Sequence, residues 1–227
     1  MAIHFQYLTL RLFYIIMTNF ISIFPLAIVA YPGEELNLHI FEPRYKQLIN
    51  DCKETQKPFG IPTVINDNIS ELGTLMEVAE IIKTYDNGEM DVKTKGLQVF
   101  RILEIVKDVP DKLYNGAIVN YPANNEKSND VLMQKVIEIT LKLHAILKVK
   151  KEFKKTGDKL LSYDIAHHTG LSLQEEYDLL GLFDEMQREE YLKQHLLKVL
   201  PIVTEMETLK SRIQLNGHFK NLSGFNL

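Results

Sequence analysis

Hydrophobic and polar positions change their period twice along this chain. Phe24 to Ala30 is rich in Val, Ile and Phe and closes on Tyr31-Pro-Gly, which predicts a strand ending in a turn. Leu36, Leu38 and Ile40 then alternate with Asn37 and His39, the period of a strand with one face covered. At Pro43 the period lengthens. Proline costs nothing at a first helical position, and Tyr45, Leu48, Ile49 and Cys52 recur at helical spacing, predicting a helix of about ten residues that ends between Lys53 and Lys57.

Short apolar runs return at Phe59 to Ile65, Gly73 to Thr84, Glu89 to Lys95, Leu97 to Lys107 and Leu113 to Tyr121, so this stretch is predicted to be mainly strand. Between the second and third lies Asn87-Gly88, a pair suited to the positive φ angles of a tight hairpin. In Leu97 to Lys107 apolar residues occupy both parities. Such a strand is either covered on both faces or kinked by a bulge, and both suit a small, strongly curved barrel.

The polar segment Pro122 to Asp130 marks the second change. Leu132, Val136, Ile139, Leu143 and Ile146 follow helical spacing behind candidate caps at Ser128 to Asp130. Ser172 to Glu175 has the Ser-x-x-Glu form of a capping box, with Gly170 before it as the end of a short helix. Pro201 is expected to start the last helix, with Ile202, Met206, Leu209 and Ile213 as one apolar stripe and 216–227 as a frayed tail.

The resulting class is α+β, a curved sheet with one inserted helix followed by helices. Composition agrees: of 227 residues, 45% are hydrophobic and 25% charged, which excludes a disordered chain. The net charge of −4 gives no global sign of nucleic-acid binding. One cysteine, Cys52, excludes an internal disulfide framework and any multi-cysteine metal site, fits a reducing compartment, and falls on the buried face of the predicted first helix. Leu12 to Gly33 carries no charge, yet it contains Asn19, Pro25 and Pro32 and shows no small-residue cleavage pattern. Residues 1–16 are therefore expected to be a loose extension or a wrongly assigned start, with Met17 as the true one. The alternative is a membrane anchor.

Several fragments occur together in a fixed order. They are Phe24-Pro-Leu, the Pro-Gly turn, Leu38-His-Ile-Phe-Glu-Pro-Arg-Tyr45, a glycine at Gly60, Gly73-Thr-Leu-Met-Glu-Val-Ala-Glu-Ile81, and Lys95-Gly-Leu-Gln-Val-Phe-Arg101. Over roughly Ile23 to Ile213 the chain resembles the N-terminal substrate-binding domain of Lon proteases. The resemblance implies a PUA-like β-barrel over 17–124 and a C-terminal helical bundle over 125–227. It also implies a non-enzymatic, cytoplasmic module that binds unfolded or extended polypeptide, or a partner protein such as a protease, in quality control or as an adaptor. No Gly-x-x-x-x-Gly-Lys-Ser/Thr phosphate loop occurs, and nothing resembles the Ser-Lys peptidase domain of Lon, so no ATPase or peptidase activity and no cofactor is expected. A similar module in cereblon carries a zinc domain built on cysteines, which one cysteine cannot supply.

The candidate binding residues are His39, Phe41, Glu42, Pro43, Arg44 and Tyr45. In one reading Phe41 and Tyr45 offer apolar contact and Arg44 a planar donor fork to a bound chain. In the other Glu42 and Arg44 pair or cap the strand-to-helix junction, and Phe41 and Tyr45 fill the core. The seven histidines show no ligand spacing, and His167 and His168 are neighbours that a helix turns about 100° apart, so no metal is expected. Lys148 to Lys155 is the one basic cluster and reads as a solvated helix end. RNA binding is the alternative function, but residues 17–125 hold ten Lys and Arg against fifteen Asp and Glu, a net −5 that repels a phosphate backbone.

Overall fold

The computed structural model describes residues 19–150, 153 and 159–222, with side chains described as far as Gln214. The expected extension over 1–16 and half of the basic cluster, residues 151, 152, 154 and 155, lie outside the described residues. The chain divides into two compact units. One comprises 1–123 with 173–181, and the other 124–172 with 182–227.

The first unit is built on a six-stranded antiparallel sheet: β1 (Asn19–Ser22), β2 (Glu35–Ile40), β3 (Phe59–Ile65), β4 (Asn68–Thr84), β5 (Met90–Val106) and β6 (Gly116–Asn120). Its order is β1-β6-β5-β4-β3, with β2 paired to one end of β5. The first strand is not the expected Phe24 to Ala30. It lies earlier, because past Ser22 the chain leaves β6 and bridges β3 instead, Ile23 to Gly60 and Leu26 to Thr63. Pro25 has no N–H to give a ladder, so this second pairing stays a pair of isolated bridges.

The two runs expected on either side of Gly96 form one strand, β5, whose pairing with β4 shifts register three times and with β6 once. Those bulges answer the mixed parity of its apolar residues. Gly96 is required there by close approach: a Cβ at this position would stand 2.2 Å from the Tyr31 carbonyl oxygen. The Tyr31-Pro-Gly turn docks on that spot, with Gly33 N–H donating to Gly96 O at 2.9 Å and Gly96 N–H to Glu34 O at 2.8 Å.

Two turns differ from expectation. At the β4–β5 hairpin only Gly88 takes a positive φ, +77°, while Asn87 accepts from Glu89 N–H with its side chain. The positive pair lies instead at Asn66 and Asp67, between β3 and β4, where φ is 49° and 62°. Asn and Asp tolerate this conformation, so β4 begins at Asn68, five residues before the expected Gly73.

Helix α1 (Pro43–Thr55) buries Tyr45, Leu48, Ile49 and Cys52 against Phe24, Phe59 and Met76, the face predicted from spacing. Burial pushes the Cys52 thiol up to about 11, so it is a packed, unreactive group. A second apolar cluster gathers Ile21, Leu75, Phe100 and Val119.

The second unit contains α2 (Asp130–Leu147), α3 (Ser162–Ile165) with a single 3₁₀ turn over Ala166–His168, and α5 (Glu185–Leu222). Helix α4 (Leu173–Leu180) belongs to the sheet unit, where Tyr31 Oη donates to Glu176 O and Tyr177 Oη accepts from Leu72 N–H. Helix α2 is capped by the Asn129 side chain, which accepts from Val131 and Leu132 N–H. The turn after α3 ends at Gly170, φ +75°, and His167 is exposed while His168 is buried.

Pro201 does not start the last helix. Helix α5 runs through it, so the Leu197 carbonyl goes without the N–H donor that a residue other than proline would supply. The helix also extends past the expected fray at 216, to Leu222. Among the described residues no helix is long and apolar enough to cross a membrane.

Candidate functional site

The six candidate residues sit where β2 passes into α1, and the structure sorts them into two groups. His39 and Phe41 belong to the hairpin end of the sheet. Strand β2 pairs with β5 so that His39 stands opposite Asp91, and β4 pairs with the other edge of β5 so that Lys83 stands opposite the same residue. His39 Nδ1 lies 2.7 Å from Asp91 Oδ1, and its Nε2 lies 3.4 Å from Glu89. Tyr85 Oη donates to the other Asp91 oxygen at 2.7 Å.

Aromatic contacts complete this group. The His39 ring stacks beside Phe41 with centroids 6.3 Å apart and meets Tyr85 edge-on at 5.9 Å, while Lys83 Nζ sits 4.2 Å over the Tyr85 ring. The hydrogen bond to Asp91 raises the His39 pKa, and the same bond lowers that of Asp91. Phe41 is 58% exposed, so it does not fill the core as one of the two readings required.

Glu42, Pro43, Arg44 and Tyr45 form the helix start. Glu42 is the cap residue by position but makes no side-chain cap. It accepts instead from Arg44, whose Nε and Nη2 approach Glu42 Oε2 at 2.8 and 2.7 Å. The Arg44 guanidinium lies over the Tyr45 ring at 4.5 Å, and Tyr45 is buried, stacked on Phe24 with centroids 3.8 Å apart. Arg44 and Tyr45 also line a cavity of about 250 Å³ with Ile23, Pro25, Ile69 and Asn115. Tyr45 thus follows the structural reading and Phe41 does not, while Glu42 and Arg44 pair without capping.

Sequence reasoning missed Tyr85, Glu89 and Asp91 as site residues, although it placed Tyr85 between two strands and Glu89 and Asp91 on the second of them. The missing quantity was register: only the pairing of Leu38 with Val92 and Ile40 with Met90 puts His39 across from Asp91. Asn115 and Ile69 are likewise invisible as cavity residues, since nothing local marks them. Among the described residues no group of three or more His, Cys, Asp or Glu is placed to hold a metal ion.

Comparison with known proteins adds the frame. The family model described as the ATP-dependent protease La (LON) substrate-binding domain matches residues 21–198. The fold resembles that of a Lon N-terminal domain protein from Xanthomonas campestris, with a TM-score of 0.58 and 22% identity over 77% of this chain and 96% of that one. It also resembles the N-terminal domain of a Mycobacterium avium complex Lon protease, with a TM-score of 0.59 and 12% identity over 78% of this chain and 98% of that one. The ordered fragments from Phe24 to Arg101 fall within the matched span, so the chain belongs to the Lon substrate-binding domain family.

Proposed function

We propose that this chain is a non-enzymatic polypeptide-binding module: a PUA-like β-barrel, residues 17–124, with a helical bundle over 125–227. It holds unfolded or extended segments of other proteins in the cytoplasm, in quality control or as an adaptor, and any ATPase or peptidase step is performed by other residues than these. The observation that carries the reading is the family match over residues 21–198, which takes in sequence from both units. The contact surface is the hairpin end of the sheet, where exposed Phe41 stands beside His39 and the cavity at Arg44 and Tyr45 lies on the helix that follows. An aromatic ring beside paired donors and acceptors suits an extended chain with alternating apolar and polar groups.

The test is fluorescence anisotropy of the full chain with a labelled, permanently unfolded polypeptide, and with a labelled single-stranded RNA in parallel. Wild type is expected to bind the polypeptide, and Phe41→Asp to bind it roughly tenfold more weakly, the loss of ~1.4 kcal/mol of contact. Because Phe41 faces solvent, the melting temperature of that variant should not move. No retention of polypeptide by wild type sinks the function. Equal binding by Phe41→Asp removes the site and leaves the function. Salt-sensitive RNA binding without polypeptide binding replaces the reading with the RNA one.

A further inference from the structure

The cavity at the start of α1 joins an apolar floor to two polar groups with bonds to spare. Ile23, which is fully buried, forms the floor with Pro25, Ile69 and the ring of Tyr45, while Arg44 and Asn115 supply the polar wall. Four separate parts of the chain meet here: the segment after β1, the first turn of α1, the start of β4 and the residue before β6. Asn115 is fixed by its backbone, whose carbonyl accepts from Ile23 N–H at 3.0 Å. Its amide side chain has no hydrogen-bond partner among the described residues.

Glu42 decides what Arg44 can still bind. A guanidinium presents its N–H donors on two edges of a planar fork, and Glu42 Oε2 takes the edge made by Nε and Nη2, at 2.8 and 2.7 Å. The ring of Tyr45 supports the plane at 4.5 Å. The other edge, Nη1 with the second hydrogen of Nη2, has no partner among the described residues. Such an edge fits a carboxylate bidentately, and because its orientation is already held, less side-chain freedom is lost on binding. The size of the cavity restricts what can bring that carboxylate. About 250 Å³ falls below the roughly 300 Å³ at which pockets for larger ligands begin, so the cavity takes one residue and not a stretch of chain. An internal apolar residue would cover the floor but strip water from Arg44 and Asn115 without replacing it, and an internal Asp or Glu would satisfy them but leave the floor unfilled. The last residue of a polypeptide brings both parts, since its side chain and its carboxylate leave the same Cα.

We propose that this cavity is a subsite for the C-terminal residue of a bound polypeptide, with its apolar side chain on Ile23, Ile69 and Tyr45 and its free carboxylate on the open edge of Arg44 and the amide of Asn115. The inference rests on the polypeptide-binding reading and adds where along a substrate the chain is gripped. Glu42 sets the character of the grip. Its carboxylate leaves the pair with Arg44 neutral overall, so recognition comes from directed hydrogen bonds and not from attraction at a distance.

Fluorescence anisotropy of the full chain decides it, with two peptides of identical sequence labelled at the N-terminus and ending in leucine, one a free acid and the other an amide, beside the unfolded polypeptide. Wild type should bind the acid about tenfold or more tighter than the amide, the worth of charge-assisted hydrogen bonds. Arg44→Gln should abolish that difference, and Asn115→Ala, which keeps the backbone bond to Ile23, should reduce it. Both side chains lie outside the buried core, so the melting temperature should hold in each variant. Equal affinity for acid and amide overturns the proposal, as does a preference that survives Arg44→Gln. So does an amidated peptide with an internal glutamate that matches the acid, or N-acetylleucine competing as tightly as the peptide, which would make this a site for small acids. Unfolded polypeptide bound with no preference for the acid overturns the subsite and leaves the polypeptide-binding reading standing. Binding of neither peptide nor polypeptide overturns both.

Discussion

The sheet unit and the helical unit put their charges in opposite places. Among the described residues of the sheet unit the fully buried polar side chains are threonines, Thr63, Thr74 and Thr94, and the charged cluster at His39, Glu89 and Asp91 stays at the surface. In the helical unit Glu185, Arg188 and Glu189 are at most 1% exposed. Arg188 Nη2 approaches Glu185 Oε2 at 2.7 Å, its Nε donates to the same oxygen and to Ser162 Oγ, and its Nη1 donates to Asn124 and the Leu182 carbonyl. The guanidinium also lies over Tyr163 at 4.2 Å, and Glu189 accepts from Ser128 Oγ and Asn129 N–H. The difference follows from backbone chemistry. Strands are registered by their ladder bonds and by close approaches such as that at Gly96, whereas helices satisfy their own backbones and need side chains to fix how they meet.

The strongest way to break this comparison is at Arg188. Arg188→Ala leaves the buried Glu185 carboxylate without its counter-charge, and urea unfolding should show a loss of about 3–5 kcal/mol. The double variant Glu185→Leu with Arg188→Met removes both charges and should recover most of that loss, because the burial cost of the ions disappears with their attraction. If the single variant unfolds within about 1 kcal/mol of wild type, a cost typical of surface pairs, the pair does not hold the helices.

Gly96 carries the corresponding weight in the sheet. Gly96→Ala sets a methyl group 2.2 Å from the Tyr31 carbonyl, which is backbone and cannot swing aside. The turn over Tyr31-Pro-Gly must shift, breaking its two hydrogen bonds to this position, and about 1–3 kcal/mol should be lost. Ala at Gly170, where a Cβ meets nothing within 4 Å but φ is +75°, is the control. A larger effect there than at Gly96 would show that conformational freedom, rather than close approach, governs glycine in this chain.

The same contrast explains what the amino-acid sequence disclosed. Helix α1 and its buried face were legible because Tyr45, Leu48, Ile49 and Cys52 are apolar at one period, and β3 was legible because its run is bounded by turn residues. The shift of β1 was not, since which partner the segment after Ser22 bridges is a long-range choice with no local mark. Neither was the buried network of Glu185, Arg188 and Glu189, which no hydrophobic spacing marks as buried. Arg188 has no apolar signature at all, and its burial follows from where Ser162 and Asn124 come to rest. At the candidate site the residue types around Phe41 and Arg44 were legible, and the pairing that adds Asp91 was not.

The exposed cluster offers the smallest effect, read by titration rather than by unfolding. His39 has its pKa raised above the ordinary 6.5, chiefly by the bond to Asp91. For a base raised on folding, the favourable pairing is complete below the unfolded value and is lost as pH climbs through the folded one. An NMR titration should therefore place the His39 midpoint above 6.5, and Asp91→Asn should bring it down toward that value. If His39 contributes to polypeptide binding, affinity in wild type should change across the same window, and in Asp91→Asn the change should move to lower pH with the midpoint. A midpoint that ignores Asp91→Asn would mean that the ladder pairing of His39 with Asp91 is not matched by their side chains in solution.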